Sequence, residues 1–330
     1  MKLSDFDYDL PKELIAQYPL KERDNARLLV LKRQSGSIEH RVFKDIADYF
    51  KAGDLFVLND TKVLPSRLKG FRASGGKVEV LLLNRKEGLT FTALMKPGRL
   101  KINEKIIFDG GSVSATIDSK NEITFAAPDI ESIYKLGAMP LPPYIKREVE
   151  ESDNIYYQTV YASKEGAVAS PTAGLHFTQA LLEKINQQGV NFSYLTLHVG
   201  HGTFKPVKID DITRHKMEPE YFQIPESTIN AVEETKAKDK RVIGVGTTTL
   251  RTLESYAATG SKAGQTDLFI YPGYKFKAVD SLLTNFHLPR TTLFMLVCAF
   301  AGIELARYAY REAIDKKYRF YSYGDAMLIV

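Results

Sequence analysis

An α/β fold interrupted by an all-β unit accounts for three features of this chain. Strand-like runs followed by a polar loop and a helical stretch recur through the second half. That alternation implies parallel strands joined by crossover helices. Between about residues 65 and 150 the texture changes to short, closely spaced strand-like runs with mostly glycine-bearing turns, the pattern of a small β-barrel or sandwich. The length, 330 residues, suits one large domain or two medium ones.

In chain order, Pro11 predicts a short helix over 11–16. Residues 26–32 and 55–58 read as strands, the second ending in the polar turn Asn59-Asp60-Thr61. Runs at 77–83, 89–94, 105–108, 113–117 and 122–125 form the all-β stretch. Pro140, Pro142 and Pro143 mark its exit, before the charged segment 146–153. Thr178 caps a helix over 179–188, with Leu181, Leu182 and Ile185 on one face and Gly189 as its stop. In the strand at 193–199, Leu195, Leu197 and Val199 point one way and Tyr194, Thr196 and His198 the other. A strand at 241–245 turns through Gly246-Thr247-Thr248 into a helix over 250–257. A strand at 281–286 precedes His287-Leu288-Pro289 and an apolar helix at 292–301. A helix over 304–317 follows, and Gly324-Asp325 turns the chain into a last strand.

Composition narrows the function classes. Hydrophobic residues make up 44% and charged residues 26%, as in a soluble globular protein. No run of eighteen apolar residues exists and the first residues are acidic rather than apolar, so a cytoplasmic protein with no membrane partner is expected. Cys298 is the single cysteine and reads as a small buried hydrophobe. One cysteine excludes an internal disulfide and a cysteine-ligated iron–sulfur cluster. The net charge of +5 is compatible with a polyanionic partner. No coiled-coil pattern demands a dimer, and a monomer is expected.

The chemistry concentrates in polar loops, which sit where strands end and helices begin, the rim at which α/β folds bind ligands. PTAGLHFT (171–178) and LHVGHGTF (197–204) set His176, His198 and His201 among glycines and threonines. Such loops approach a ligand closely, and their histidines can donate hydrogen bonds or carry protons. Gly246, Thr247 and Thr248, opening a helix, offer free N–H groups and a positive helix end to a phosphate or carboxylate. Arg251, one turn on, can add a guanidinium fork to the same anion. His198 and His201, with His176, His215 and His287, also admit a metal-dependent hydrolase, although no helix carries paired histidines and no metal is expected. Asp60, Glu220 and Asp325 are carboxylates at turns, and the basic residues Arg307, Arg311, Lys316, Lys317 and Arg319 form either a solvated helix face or a phosphate-binding one.

These segments also resemble a known family, the S-adenosylmethionine:tRNA ribosyltransferase-isomerases of queuosine biosynthesis. The matching stretches are LIAQYPLKERDNARLLVL (14–31), GDLFVLNDTKVLPSRL (53–68), PTAGLHFT, LHVGHGTFKPV (197–207), VGTTTLRTLES (245–255), LLTNFHLPRTTLFMLV (282–297) and YRFYSYGDAMLI (318–329). They run almost from end to end in the family's order. The resemblance implies a barrel-like α/β catalytic domain over 1–64 and 151–330 with an inserted β-barrel domain over 65–150. It implies transfer of the ribosyl part of S-adenosylmethionine, a consumed co-substrate, onto 7-aminomethyl-7-deazaguanine at the wobble position of a tRNA anticodon. The ribose is isomerised to the epoxycyclopentane of epoxyqueuosine, with release of adenine and methionine. Read onto this chain, His176, His198, His201 and Asp60 are the candidates for proton transfer. Thr172, Gly174, Gly246, Thr247, Thr248, Arg251, Asn285, His287 and Asp325 are the candidates for holding the donor. Two positions depart from the pattern. Ala169-Ser170 stands where two alanines are common, and Met217-Glu218-Pro219-Glu220 replaces a segment that usually carries a second histidine.

Overall fold

The structure is a computed structural model, and it describes residues 1–200, 202 and 207–330. His201 and residues 203–206 lie outside the described residues. The first strands are β1 (Arg27–Leu31), β2 (Ile38–Val42), β3 (Leu55–Asn59) and β4 (Thr61–Val63). Six more follow: β5 (Arg67–Arg72), β6 (Lys77–Arg85), β7 (Thr90–Lys96), β8 (Lys105–Phe108), β9 (Val113–Ser119) and β10 (Glu122–Ala126). Next come helices α1 (Ile130–Lys135) and α2 (Asp153–Tyr156), strand β11 (Lys164–Ala167), helix α3 (Gln179–Gln187), strands β12 (Asn191–Leu197) and β13 (Glu220–Gln223), and helix α4 (Glu226–Ala237). The last are β14 (Val242–Val245), α5 (Thr247–Thr259), β15 (Ala263–Thr266), β16 (Ser281–Asn285), α6 (Thr292–Ala301), α7 (Ile303–Asp315) and β17 (Ala326–Ile329).

Nine strands form one mixed sheet in the order β15-β13-β12-β3-β14-β16-β17-β1-β2. Its centre is parallel, β12 with β3, β3 with β14 and β14 with β16, and β17 then runs antiparallel to β16. Strands β3, β14 and β16 are buried at every position because both faces of the sheet are covered. In β3, Leu55 and Val57 enter the core under α5 and α6, while Phe56 and Leu58 enter the opposite core under α3. Thr178 accepts a hydrogen bond from the Leu181 N–H, so it caps α3 as its position predicts.

Strands β4 and β11 pair in parallel by themselves, and the other six close a barrel in the order β10-β7-β6-β5-β8-β9. Every neighbouring pair is antiparallel, so turns alternate between its two ends. Val78, Val80 and Leu82 of β6 and Phe91 and Ala93 of β7 fill the interior. Gly70 is the one residue that fits on β5 there, since a Cβ would stand 2.7 Å from the Phe108 ring. Helix α1, capped by Asp129, contributes Ile133 to this core.

One local expectation gives way to tertiary pairing. The predicted helix over 11–16 is a single 3-10 turn, Lys12–Leu14. Ala16 donates to the Phe320 carbonyl and Phe320 to the Leu14 carbonyl, and this strand-like bridge consumes the groups a helix needs. No single helix among the described residues is long and apolar enough to cross a membrane.

Candidate active site

The C-terminal ends of β14 and β16 and the loops behind them line a pocket. Its walls are Ser170–Ala173, Val199, Gly246–Thr248, Thr284, Asn285, His287, Leu293, Tyr321 and Ser322. Six of the residues singled out from the sequence therefore meet here: Thr172, Gly246, Thr247, Thr248, Asn285 and His287.

Gly246 sits at φ +90°, a conformation an L side chain resists, and it turns β14 sharply into α5. It has no side chain to cap the helix, so the first N–H groups of α5 stand at the pocket wall with the positive helix end behind them. The Ser170 hydroxyl, on the same wall, is buried and has no hydrogen-bond partner among the described residues. An unsatisfied buried hydroxyl costs about 1–3 kcal/mol, and this one lies on the pocket wall.

Asn285, at the end of β16, organises the opposite wall. Its side-chain NH₂ donates to the Tyr321 carbonyl at 3.2 Å, which fixes the amide orientation, and its oxygen accepts from the Thr172 hydroxyl at 3.2 Å. The same NH₂ lies 3.1 Å from His176 Nε2, so that nitrogen accepts and the ring proton sits on Nδ1. His176 is buried behind Asn285, against the Phe43 ring, and does not line the pocket. Desolvation, with the Arg319 and Arg23 charges, lowers its pKa to about 3 and keeps it neutral. His287 does line the pocket; its Nε2 is 2.8 Å from the Thr284 hydroxyl, and burial lowers its pKa to about 3 as well. Gly174 is enclosed: a Cβ there would lie 2.0 Å from the Tyr161 hydroxyl, so only glycine lets the 3-10 turn Thr172–His176 pack.

Other candidates lie off the pocket wall. Asp60 accepts from the Thr196 hydroxyl at 2.6 Å and the Ser163 hydroxyl at 3.1 Å. His198 Nδ1 is 2.8 Å from the Thr61 hydroxyl, and its ring stacks on Tyr221 and against Gly166. Burial lowers the His198 pKa, partly opposed by Asp60. Arg251 gives Nη1 to Glu220 at 2.6 Å and Nε to the Leu268 carbonyl at 3.1 Å. Its guanidinium is therefore engaged in a buried ion pair rather than open to the pocket, and Glu220 uses its other oxygen to hold the Gly200 N–H at 2.8 Å. Asp325 accepts from the Arg27 and Arg319 N–H groups at 3.0 and 2.8 Å and clamps the turn before β17; burial raises its pKa. Among the described residues no group of three or more His, Cys, Asp or Glu side chains stands ready for a metal ion. His201 falls outside the described residues.

Sequence reading passed over Asn59, Tyr321 and Ser322. Asn59 accepts from the Thr61 and Leu197 N–H groups, donates to the Leu197 carbonyl and reaches the Thr248 hydroxyl at 3.4 Å, so it ties β3 and β12 to the start of α5. A polar residue ending an otherwise apolar strand was its signal. Tyr321 lies at φ +74°, rare for a bulky residue and invisible before the turn is built.

Comparison with known proteins shows the family. A family profile described as queuosine biosynthesis protein matches residues 3–329. Proteins named S-adenosylmethionine:tRNA ribosyltransferase-isomerase match with both chains fully covered, at 55% identity in Sulfurihydrogenibium sp. (strain YO3AOP1) and 49% in Staphylococcus haemolyticus (strain JCSC1435). The crystal structure of an S-adenosylmethionine tRNA ribosyltransferase from Thermotoga maritima is similar with a TM-score of 0.59 and 39% identity, covering 99% of this chain and 100% of that one. The profile spans both the sheet whose rim builds the pocket and the barrel inserted between its strands, so the chain as a whole belongs to the queuosine biosynthesis protein family.

Proposed function

We propose that this protein is an S-adenosylmethionine:tRNA ribosyltransferase-isomerase and that the pocket at the sheet rim takes its sulfonium donor. The donor supplies an acidified ribose 5′-carbon and an adenine leaving group. The acceptor is the aminomethyl group of a 7-deazaguanine at the tRNA wobble position, a reaction that belongs in the cytoplasm. The chain acts as a monomer, with residues 65–150 forming an inserted unit. The observation that carries this reading is the uncapped helix start at Gly246–Thr248 beside the Ser170 hydroxyl, which has no partner among the described residues, in one pocket of a chain that the family profile matches over residues 3–329.

Each group has a physical task in this reading. The first N–H groups of α5 hold the methionine carboxylate, as helix N-termini hold anions. Thr247 and Ser170 supply hydroxyl contacts to the donor. Asn285 orients a polar donor group through its oxygen and Thr172, while His176, neutral with Nε2 accepting, fixes the Asn285 amide and acts as a positioning residue. His287, neutral at the operating pH, offers a ring beside the same space. Asp60 and His198 form a second polar cluster one strand away, on the side from which the acceptor base enters. Arg251 and Glu220 hold the backbone at Gly200.

The decisive experiment incubates the purified protein with S-adenosylmethionine and tRNA carrying the 7-aminomethyl-7-deazaguanine base, and quantifies adenine and methionine against modified tRNA. Equimolar release is expected, undiminished after exhaustive chelation. Absence of adenine release, or activity that disappears with chelation and returns with a metal, would overturn the assignment in favour of a metal-dependent hydrolase.

A further inference from the structure

We propose that the free end of the β-barrel is the docking surface for the sugar–phosphate backbone of the tRNA, at nucleotides away from the one that reacts. The inference rests on the reading of tRNA as the substrate and adds where the protein grips it.

The charge distribution is the first observation. Residues 67–126, the span of the barrel strands, contain eleven Lys or Arg and six Asp or Glu. That surplus of five equals the surplus of the whole chain, which has 45 basic and 40 acidic residues. The rest of the molecule is therefore balanced, and the barrel alone presents a net positive field.

Topology then gathers the cations. In a barrel of alternating strands, the β5–β6, β7–β8 and β9–β10 connections share one end. The chain enters at Arg67 and leaves at Ala126 at the other end, where Arg67 bridges to Ala138. The shared end carries Lys77, Lys96, Arg99, Lys101, Lys105 and Lys120, all exposed. Lys120 joins the β7–β8 loop directly, for it lines one surface pocket with Pro97, Leu100 and Ile102. Among the described residues none of the six makes an ion pair, whereas four other barrel cations do: Arg67 with Glu79, Lys69 with Glu148, Arg72 with Glu104 and Lys86 with Glu122. Unpaired, solvated cations on adjoining loops suit a partner with regularly spaced anions, and a nucleic acid backbone has that spacing.

Two of the basic residues near α7 are less available: Arg307 donates to the Asp5 carbonyl and Arg319 to the Tyr18 carbonyl.

The test is equilibrium binding of the acceptor tRNA to the full chain, followed by fluorescence anisotropy between about 50 and about 200 mM salt. Wild type, a Lys96→Ala/Arg99→Ala/Lys101→Ala variant and an Arg311→Ala/Lys317→Ala control are compared. Each lost phosphate contact reduces the slope of log affinity against log salt by roughly 0.7–0.9. The barrel variant is expected to bind at least about tenfold more weakly at low salt, with a slope shallower by about two. Its melting temperature and its stabilisation by S-adenosylmethionine stay at wild-type values, and the control binds as wild type. Unchanged affinity and slope in the barrel variant, or a loss confined to the control, overturns the docking surface while leaving the function intact. A wild type that neither binds this tRNA nor releases adenine overturns the underlying functional reading instead.

Discussion

At the sheet rim the Arg251–Glu220 pair meets at 2.6 Å with its side chains 3% and 4% exposed; on the barrel, Lys69 meets Glu148 at 3.0 Å with its side chains 68% and 88% exposed. The two regions are polar for different reasons. The rim buries its polar groups and aims most of them at a named partner, so it is built for geometry. The barrel's free end leaves its cations in water without partners, so it is built for long-range attraction. Low dielectric makes each contact at the rim strong and each loss expensive, while salt and solvent screen the barrel. One molecule can thus hold a small donor rigidly and a large polyanion loosely.

The sharpest break in this contrast comes from Arg251. Arg251→Met removes the guanidinium from a buried ion pair with Glu220 and should destabilise the fold by about 3–5 kcal/mol, measured by urea denaturation. Adding Glu220→Leu should recover most of that loss. Lys69→Ala on the barrel should leave the melting curve unmoved. Equal effects of the two single changes would erase the distinction.

Next in size is Asn285→Ala, which removes the group joining Thr172, His176 and the Tyr321 carbonyl. We expect adenine release to fall about 100-fold, the scale at which a misplaced reacting group costs rate. tRNA affinity and its salt slope should stay unchanged. His176→Ala should give a smaller loss, rescued by His176→Gln, whose amide oxygen can accept in place of Nε2. Failure of that rescue would make the ring itself a proton carrier.

A smaller effect separates the regions by pH. His176 and His287 are held to about 3 from 6.5 by burial. The unfolded chain therefore binds protons on them below about 6.5 while the folded chain does not. Their contribution to stability is complete above pH 6.5 and is lost as pH falls toward 3. Thermal melts at stepwise lower pH should show a declining midpoint, and the decline should flatten in a His176→Gln/His287→Gln variant. The smallest effect is expected from any one barrel cation: Lys120→Ala alone should weaken tRNA binding only a few-fold and vanish at high salt.

Much of this was legible in the residues. The apolar runs of β3 and β16, the Thr178 cap, the glycine turn before α5 and the switch to short strands near residue 65 are local signals, because periodicity and capping act over a few positions. The charge surplus of 67–126 can be counted in the sequence as well. What tertiary structure decided was convergence. Asn285 meets His176 across 109 positions and Asn59 meets Leu197 across 138, distances fixed by strand order and register rather than by any local pattern. Arg251 carried the right charge to bind an anion, and the fold set it against Glu220 because the strand order brings β13 beside α5. The same holds for the barrel: its cations are in the sequence, but only the alternating direction of its strands places six of them at one end.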